Sequence, residues 1–303
     1  MIERLFLSHA VVDEGVEVPN GDDASVHRLP VGASLVVSSD SALSGVHWPQ
    51  DMALTPAADR AVQAALSDLA AMGATARWCW VALMAQDGVA LEAMGQGVLH
   101  SVASSGAVLA GGDCVRSSCN GLTVTVAGTL DSGSAMRRDA AVAGDTIWLL
   151  GRVGAAVAGL RCWLAGARDG EWVDAFCGVR ALLNDGAELR RYGVRCCIDI
   201  SDGLVQDAGH IARASGVALQ LDLDGLPDLE QLTTEFDDGL QLAMYGGEDY
   251  ALLCTAPDGL SELLQSLGAV NIGVVITGSG VVVRWRGQDI SIKEHGFDHF
   301  ATV

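Results

Sequence analysis

Val194-Arg195-Cys196-Cys197-Ile198 runs directly into Asp199-Ile200-Ser201-Asp202-Gly203, and the stretch from Leu204 to Ser215 follows before Gly216. The first five residues read as an apolar strand, the next five as an acidic turn, and residues 204–215 as a helix that Gly216 stops. The same alternation extends outward. Upstream, residues 34–38 read as a short strand ending at Ser39-Asp40. Residues 56–72 read as a helix with Pro56 in its first turn, Gly73 as its cap, and Ala61, Ala65, Leu69 and Met72 on one face. Residues 78–84, 122–130 and 146–150 are further strands, and residues 91–104, 153–165 and 172–191 are helical. Residues 108–110 lead into Gly111-Gly112-Asp113. Downstream, residues 218–223, 250–255, 272–276 and 281–285 are strands, and residues 259–267 a short helix. Strands alternating with helices, in a chain whose apolar mass is mostly Ala, Val and Leu, predict an α/β class. A second unit begins near Gly144-Asp145, which divides the chain into domains over 1–140 and 141–303.

Composition narrows the function. The chain has 303 residues, 50% hydrophobic and 18% charged, enough for a real core and a length that suits two domains. Its formal charge of -20 repels nucleic-acid phosphates and anionic membranes. Lys293 is the only lysine, which leaves no Gly-x-x-x-x-Gly-Lys phosphate loop. The eight cysteines show neither Cys-x-x-Cys nor zinc spacing. Met1 to Gly15 does not read as a secretory signal, and no apolar stretch is long enough for a membrane span. A reduced cytoplasmic location is expected.

The informative feature is a set of acids in glycine- and serine-rich turns or at strand ends. They are Asn20-Gly21-Asp22-Asp23, Ser38-Ser39-Asp40, Ser67-Asp68, Gly111-Gly112-Asp113, Asp199-Ile200-Ser201-Asp202-Gly203 and Gly246-Gly247-Glu248-Asp249. Singly, each is ordinary turn or cap chemistry. Asp68 is the exception, because it falls inside a helical pattern beside Leu69, where a carboxylate needs a cation. Together the acids suggest a magnesium site, since magnesium takes carboxylate oxygens together with substrate phosphates. Joining two phosphorylated molecules opposes like charges at roughly 4 kcal/mol per pair, for about 4 Å separation and an effective dielectric near 20. Bound cations cancel that repulsion and stabilise an in-line transition state.

These motifs, with Leu66-Ser67-Asp68-Leu69-Ala70-Ala71-Met72-Gly73, Gly246-Gly247-Glu248-Asp249-Tyr250 and the terminal Gly296-Phe297-Asp298-His299-Phe300, follow one another as in the thiamine-monophosphate kinases, which the chain resembles over nearly its whole length. The resemblance places it in the aminoimidazole-ribonucleotide-synthetase-like superfamily. It implies a two-domain fold, with an N-terminal α/β domain that dimerises through its sheet and a C-terminal α+β domain. It also implies direct transfer of the ATP γ-phosphate onto thiamine monophosphate, giving thiamine diphosphate and ADP. By position, Asp23, Ser38, Ser39, Asp40, Asp68, Asp113, Asp199 and Asp202 correspond to magnesium ligands. Gly112, Asp113, Arg138 and Ser201 correspond to ATP contacts, and His47 and Glu248 to substrate contacts. Without the resemblance, His47 would read as a loop histidine and Arg138 as a surface charge.

Two departures stand out. Glu294 occupies the place of an aromatic that covers the substrate ring in the family, and the resemblance makes it a substrate-side position. Phe176-Cys177-Gly178-Val179-Arg180 replaces a proline-rich segment. Rival readings are another ATP-dependent enzyme of the superfamily acting on a different phosphorylated small molecule, and a non-catalytic magnesium–nucleotide module. A selenophosphate synthetase would need a reactive cysteine near the N-terminal glycine loop, and the first cysteine here is Cys79. ATP consumption with thiamine monophosphate separates kinase from module.

Overall fold

Residues 15–21 and 23–292 are described in the computed structural model of the chain. The chain folds as two compact units, Met1–Ala70 with Ala74–Ala135, and Ala71–Gly73 with Met136–Val303.

The first unit is built on a four-stranded sheet in the order β3 (Ala33–Leu43), β6 (Gly121–Asp131), β4 (Thr75–Ala85), β5 (Val108–Arg116). β3 and β4 both pair antiparallel with β6, whereas β4 and β5 run parallel. Two helices, α1 (Leu54–Ala71) and α2 (Gly88–Ser105), accompany the sheet, and α2 is the crossover that a parallel β4–β5 pair requires. Period-two alternation puts Leu122, Val124 and Val126 with Cys79, Val81 and Leu83 on one buried face. The helices approach each other closely. A Cβ at Gly97 of α2 would sit 2.1 Å from the Thr55 carbonyl oxygen, so only glycine fits there. α2 is capped by the Asp87 carboxylate, which accepts from the Ala90 N–H, and by Gly106 in the left-handed conformation. The short ribbon of β1 (Val16–Val18) and β2 (Val26–His27) sets the His27 ring against Trp78 in a tilted pair, at 4.5 Å between centroids and 49° between planes.

The second unit holds a seven-stranded sheet. Its order is β13 (Gln288–Ile290), β12 (Gly280–Trp285), β9 (Ala218–Asp222), β11 (Val270–Ile276), β7 (Thr146–Leu150), β10 (Leu252–Ala256), β8 (Cys196–Asp199). All neighbours are antiparallel except β9 and β12. α3 (Ala155–Leu164) packs on α4 (Glu171–Cys177), where a Cβ at Gly159 would meet the Trp172 carbonyl oxygen at 1.9 Å. α5 (Leu183–Arg191), α6 (Leu204–Ser215), α7 (Leu229–Glu235), α8 (Gly239–Tyr245) and α9 (Ser261–Ser266) complete the helices among the described residues. The core joins Ile147, Leu149, Ile198, Leu219 and Leu253 from the sheet to Leu204, Ala208 and Ile211 of α6.

The mixed α/β and α+β reading agrees with this architecture, with local differences. The strand expected over residues 34–38 continues to Leu43, because β3 lies at a sheet edge and its serines pair with threonines of β6: Ser39 Oγ lies 3.1 Å from Thr125 Oγ1, and Ser41 Oγ 2.8 Å from Thr123 Oγ1. Gly111-Gly112-Asp113 lies inside β5 rather than in a turn. The single helix expected over residues 172–191 is two helices, interrupted after Cys177. There Gly178 N–H bonds back to the Asp174 carbonyl and the chain leaves the helix. α7, α8, β13 and the β1–β2 ribbon lacked a clear periodic signal. Among the described residues, no helix is long and apolar enough to cross a membrane. Glu294 and the terminal Gly296–Phe300 motif lie outside the described residues.

Candidate functional site

In the first unit the predicted acids are set out by strand register. Ser38 and Asp40 of β3 stand opposite Val126 and Val124, so they share the helix-covered face. Asp68 projects from α1 onto that same face, and the Ser38 hydroxyl donates to its carboxylate. Asp68 is the one residue between Ala57 and Ala71 of this helix that is not buried. The helix-interior acid that the sequence singled out is therefore at the rim of the buried face with a hydroxyl partner.

Asp40, Val124, Val81 and Gly112 form one row across the sheet, which separates Asp40 from Gly112 by three strand spacings, about 14 Å. Gly112 is needed where it lies, since a Cβ would fall 2.1 Å from the Val81 carbonyl oxygen. Asp113, in register with Ala82, Thr123 and Ser41, takes the opposite face, as does Ser39. Asp40 and Asp113 are exposed and each accepts the next residue's N–H, from Ser41 at 3.0 Å and Cys114 at 2.8 Å. Asp23 is exposed between β1 and β2. His47 closes the loop after β3, where its Nδ1 accepts the Leu43 N–H at 3.1 Å and leaves the proton on Nε2. Within this unit the structure brings Ser38 and Asp68 into contact and spreads the other acids over both faces of the sheet.

In the second unit the predicted residues converge. β8 ends at Asp199, which is 4% exposed and pairs with Leu252, and the turn Ile200–Gly203 leads into α6. The Ser201 carbonyl accepts the Glu248 N–H at 2.8 Å, and the Ile200 carbonyl accepts the Tyr250 N–H at 2.8 Å. Gly247 allows this approach, because a Cβ there would lie 2.3 Å from the Ser201 carbonyl oxygen. Glu248 and Tyr250 have φ of 69° and 54°, a conformation that costs non-glycine residues energy and recurs at functional sites. Between them, Asp249 caps α3: its carboxylate accepts the Gly154 N–H at 2.6 Å and the Ala156 N–H at 2.8 Å.

Two residues that sequence reasoning passed over complete this cluster. The Asp207 carboxylate accepts the N–H groups of Ser201, Asp202 and Gly203 at 3.1, 3.0 and 3.1 Å. Burial pushes Asp207 up to about 7, while the Asp202 and Gly203 amides pull the other way. His210, one turn further, has ligand atoms within 4.8 Å of those of Asp202 and Asp207. Burial holds its imidazole below the ordinary value, and the Arg138 and Arg213 charges add to that effect. Arg138 is exposed, whereas neighbouring Arg137 is engaged by Asp139. Asp202 in turn accepts from the Gln206 amide at 2.9 Å. The signal for Asp207 was present in the spacing Ser-Asp-Gly-x-x-x-Asp: four residues past the turn's glycine, a first-turn helical acid can reach back to the turn's amides.

The candidate cation ligands among the described residues are carboxylate and hydroxyl oxygens, joined in the second unit by the His210 imidazole, and the oxygen-rich set suits a hard divalent cation.

The AIR synthase related protein family matches through its N-terminal domain over residues 21–130 and its C-terminal domain over residues 142–286. A thiamine-monophosphate kinase of Salmonella typhimurium is 32% identical over 319 residues, covering 99% of this chain and 96% of that relative. The crystal structure of thiamine-monophosphate kinase from Stenotrophomonas maltophilia superposes with a TM-score of 0.84 at 33% identity, covering 95% of this chain and 96% of that one. A solved complex of AaThiL with AMPPCP and TMP superposes with a TM-score of 0.80 at 26% identity, covering 90% of this chain and 89% of that one.

Proposed function

The chain belongs to the AIR synthase related proteins and, within them, to the thiamine-monophosphate kinase family, and from that premise we propose that it phosphorylates thiamine monophosphate with ATP by direct, magnesium-assisted, in-line transfer. A phosphate oxygen of thiamine monophosphate forms the new P–O bond to the γ-phosphorus as the bond to ADP breaks. The observation that carries the reading is the full-length likeness to kinases of that name, joined to a similar solved structure that holds an ATP analogue and TMP.

In this reading magnesium, when bound, neutralises charge on the two phosphates that must approach. By the family correspondence, Asp23, Ser38, Ser39, Asp40, Asp68 and Asp113 would offer oxygens to such ions in the first unit, where Ser39 and Asp113 lie on the sheet face opposite Ser38, Asp40 and Asp68, and Asp199 and Asp202 would do so in the second. The same correspondence assigns Gly112 and Asp113 in the first unit, and Ser201 and Arg138 in the second, to ATP, with Arg138 bringing a positive charge suited to a phosphate. By position in the sequence, His47, Glu248 and Glu294 are assigned to the thiamine monophosphate side. The chain's own part is positioning: the turn Asp199–Gly203 is held by backbone bonds from Glu248 and Tyr250 and by the Asp207 carboxylate, which gives its residues a defined arrangement.

The test is product analysis with ATP and a panel of phosphorylated acceptors. Thiamine monophosphate should yield thiamine diphosphate, and EDTA should abolish the reaction. ATP hydrolysis indifferent to thiamine monophosphate would sink the reading, and efficient use of a different acceptor would move it to another enzyme of the superfamily.

The proposal extends to a homodimer through the first unit's sheet and to a cytoplasmic location. Support for the dimer comes from Leu35 and Val37 of β3, which are 47% and 56% exposed on the sheet face away from the helices. Substituting both by Glu should halve the sedimenting mass; a wild-type chain that sediments as a monomer contradicts this. For location, all eight cysteines carry free thiols, as a reducing compartment maintains.

A further inference from the structure

Asp207 is 2% exposed, at the fourth position of α6. An ordinary capping acid satisfies one or two amides at the start of its own helix. Asp207 instead reaches back past the helix start, where one of its oxygens, Oδ2, accepts three consecutive N–H groups, from Ser201, Asp202 and Gly203. Placing a carboxylate in so buried a position is unfavourable unless its acceptors are used. Here they are used by the turn.

The carbonyl side of the turn is held separately. Ile200 and Ser201 oxygens accept from Tyr250 and Glu248, and Gly203, at φ 118°, has no room for a Cβ against the Tyr245 carbonyl at 2.8 Å. The strand end at Asp199 is fixed by its pairing with β10. That leaves the three amides as the groups that decide how the segment turns, and Asp207 answers all of them.

We propose that Asp207 is a positioning residue for the phosphoryl transfer: its carboxylate fixes the backbone of Ser201, Asp202 and Gly203 so that Ser201 and Asp202 meet nucleotide and metal in one arrangement. The inference rests on the kinase reading for its catalytic consequence and on geometry alone for its structural one. It assigns no direct contact between Asp207 and substrate.

The experiment compares full-length wild type, Asp207→Ala and Asp207→Asn by amide hydrogen exchange and by steady-state kinetics. In Asp207→Ala, amides 201–203 should exchange at least about tenfold faster, the loss of more than one charge-assisted bond. Protection of β10 should be unchanged. Turnover should fall by at least about tenfold while KM for thiamine monophosphate moves less than about threefold, since the bond that ties Glu248 to the Ser201 carbonyl does not involve Asp207. Asp207→Asn keeps an acceptor oxygen and should recover part of both losses. Unchanged exchange at 201–203 overturns the structural half whatever the enzyme's substrate. A loosened turn with wild-type turnover overturns the catalytic half. Loss of protection at β10 in step with the turn shows Asp207 to be a general stability residue, and an Asn variant as impaired as Ala shows that the acceptor is not what matters; either result rejects the positioning role.

Discussion

The first unit presents Asp40 and Asp113 on strands, and the second presents Asp199 and Asp202 at a strand end and in the turn that follows. On the four-stranded sheet, Asp40 and Asp113 sit where register puts them, exposed, bonded to their own neighbours' amides and on opposite faces. Around Asp199–Gly203 the acids are engaged by the fold itself: Asp207 gathers three amides, Asp249 caps a helix, and Asp202 takes the Gln206 amide. The same residue type thus does two different jobs. The Asp40 and Asp113 carboxylates each accept an amide of their own strand, whereas several acids of the second unit tie separate elements together.

That contrast can be broken by substitution. The largest effect is expected from Asp68→Asn and Asp113→Asn in the first unit. Each should lower turnover by about a hundredfold or more, as loss of a group that stabilises transferring charge does, with thermal stability close to wild type. Either variant retaining near-normal turnover at limiting magnesium removes that residue from the site. A smaller effect of a different kind is expected from Asp249→Ala. It uncaps α3 and should destabilise the protein by about 1–2 kcal/mol in denaturant unfolding. An Asp249→Ala protein as stable as wild type would erase the distinction between the two regions.

Much of this was legible in the sequence where the signal is local. The strand–turn–helix order over residues 194–216 is found, with the strand at Cys196–Asp199 rather than 194–198, α6 spanning Leu204–Ser215 and Gly216 in the left-handed cap. Strand β7 likewise coincides with the expected residues 146–150. What sequence reading missed depends on partners far along the chain. Ser39 and Asp40 look like the end of a strand until Thr123 and Thr125 are seen beside them. Asp249 looks like one more acid of a Gly-Gly-Glu-Asp motif, yet its carboxylate is used by amides 93 and 95 residues away. Asp207 was overlooked for the opposite reason: a first-turn helical acid is so common that its reach back to three turn amides draws no notice in one dimension. The facing of Asp40 and Asp113 also needs the irregularity in β4–β5 pairing between Cys79 and Trp80, which shifts the parity of β5 and has no sequence signature.

The central claim, direct transfer between two phosphorylated small molecules, is tested most directly by a single turnover with ATP labelled at the γ-phosphate, quenched over the time course of product formation. The account predicts that label passes from ATP to thiamine diphosphate only when thiamine monophosphate is present, with none held on the protein at any time. Label released as inorganic phosphate regardless of thiamine monophosphate, or trapped on the protein at a rate matching turnover, would contradict it.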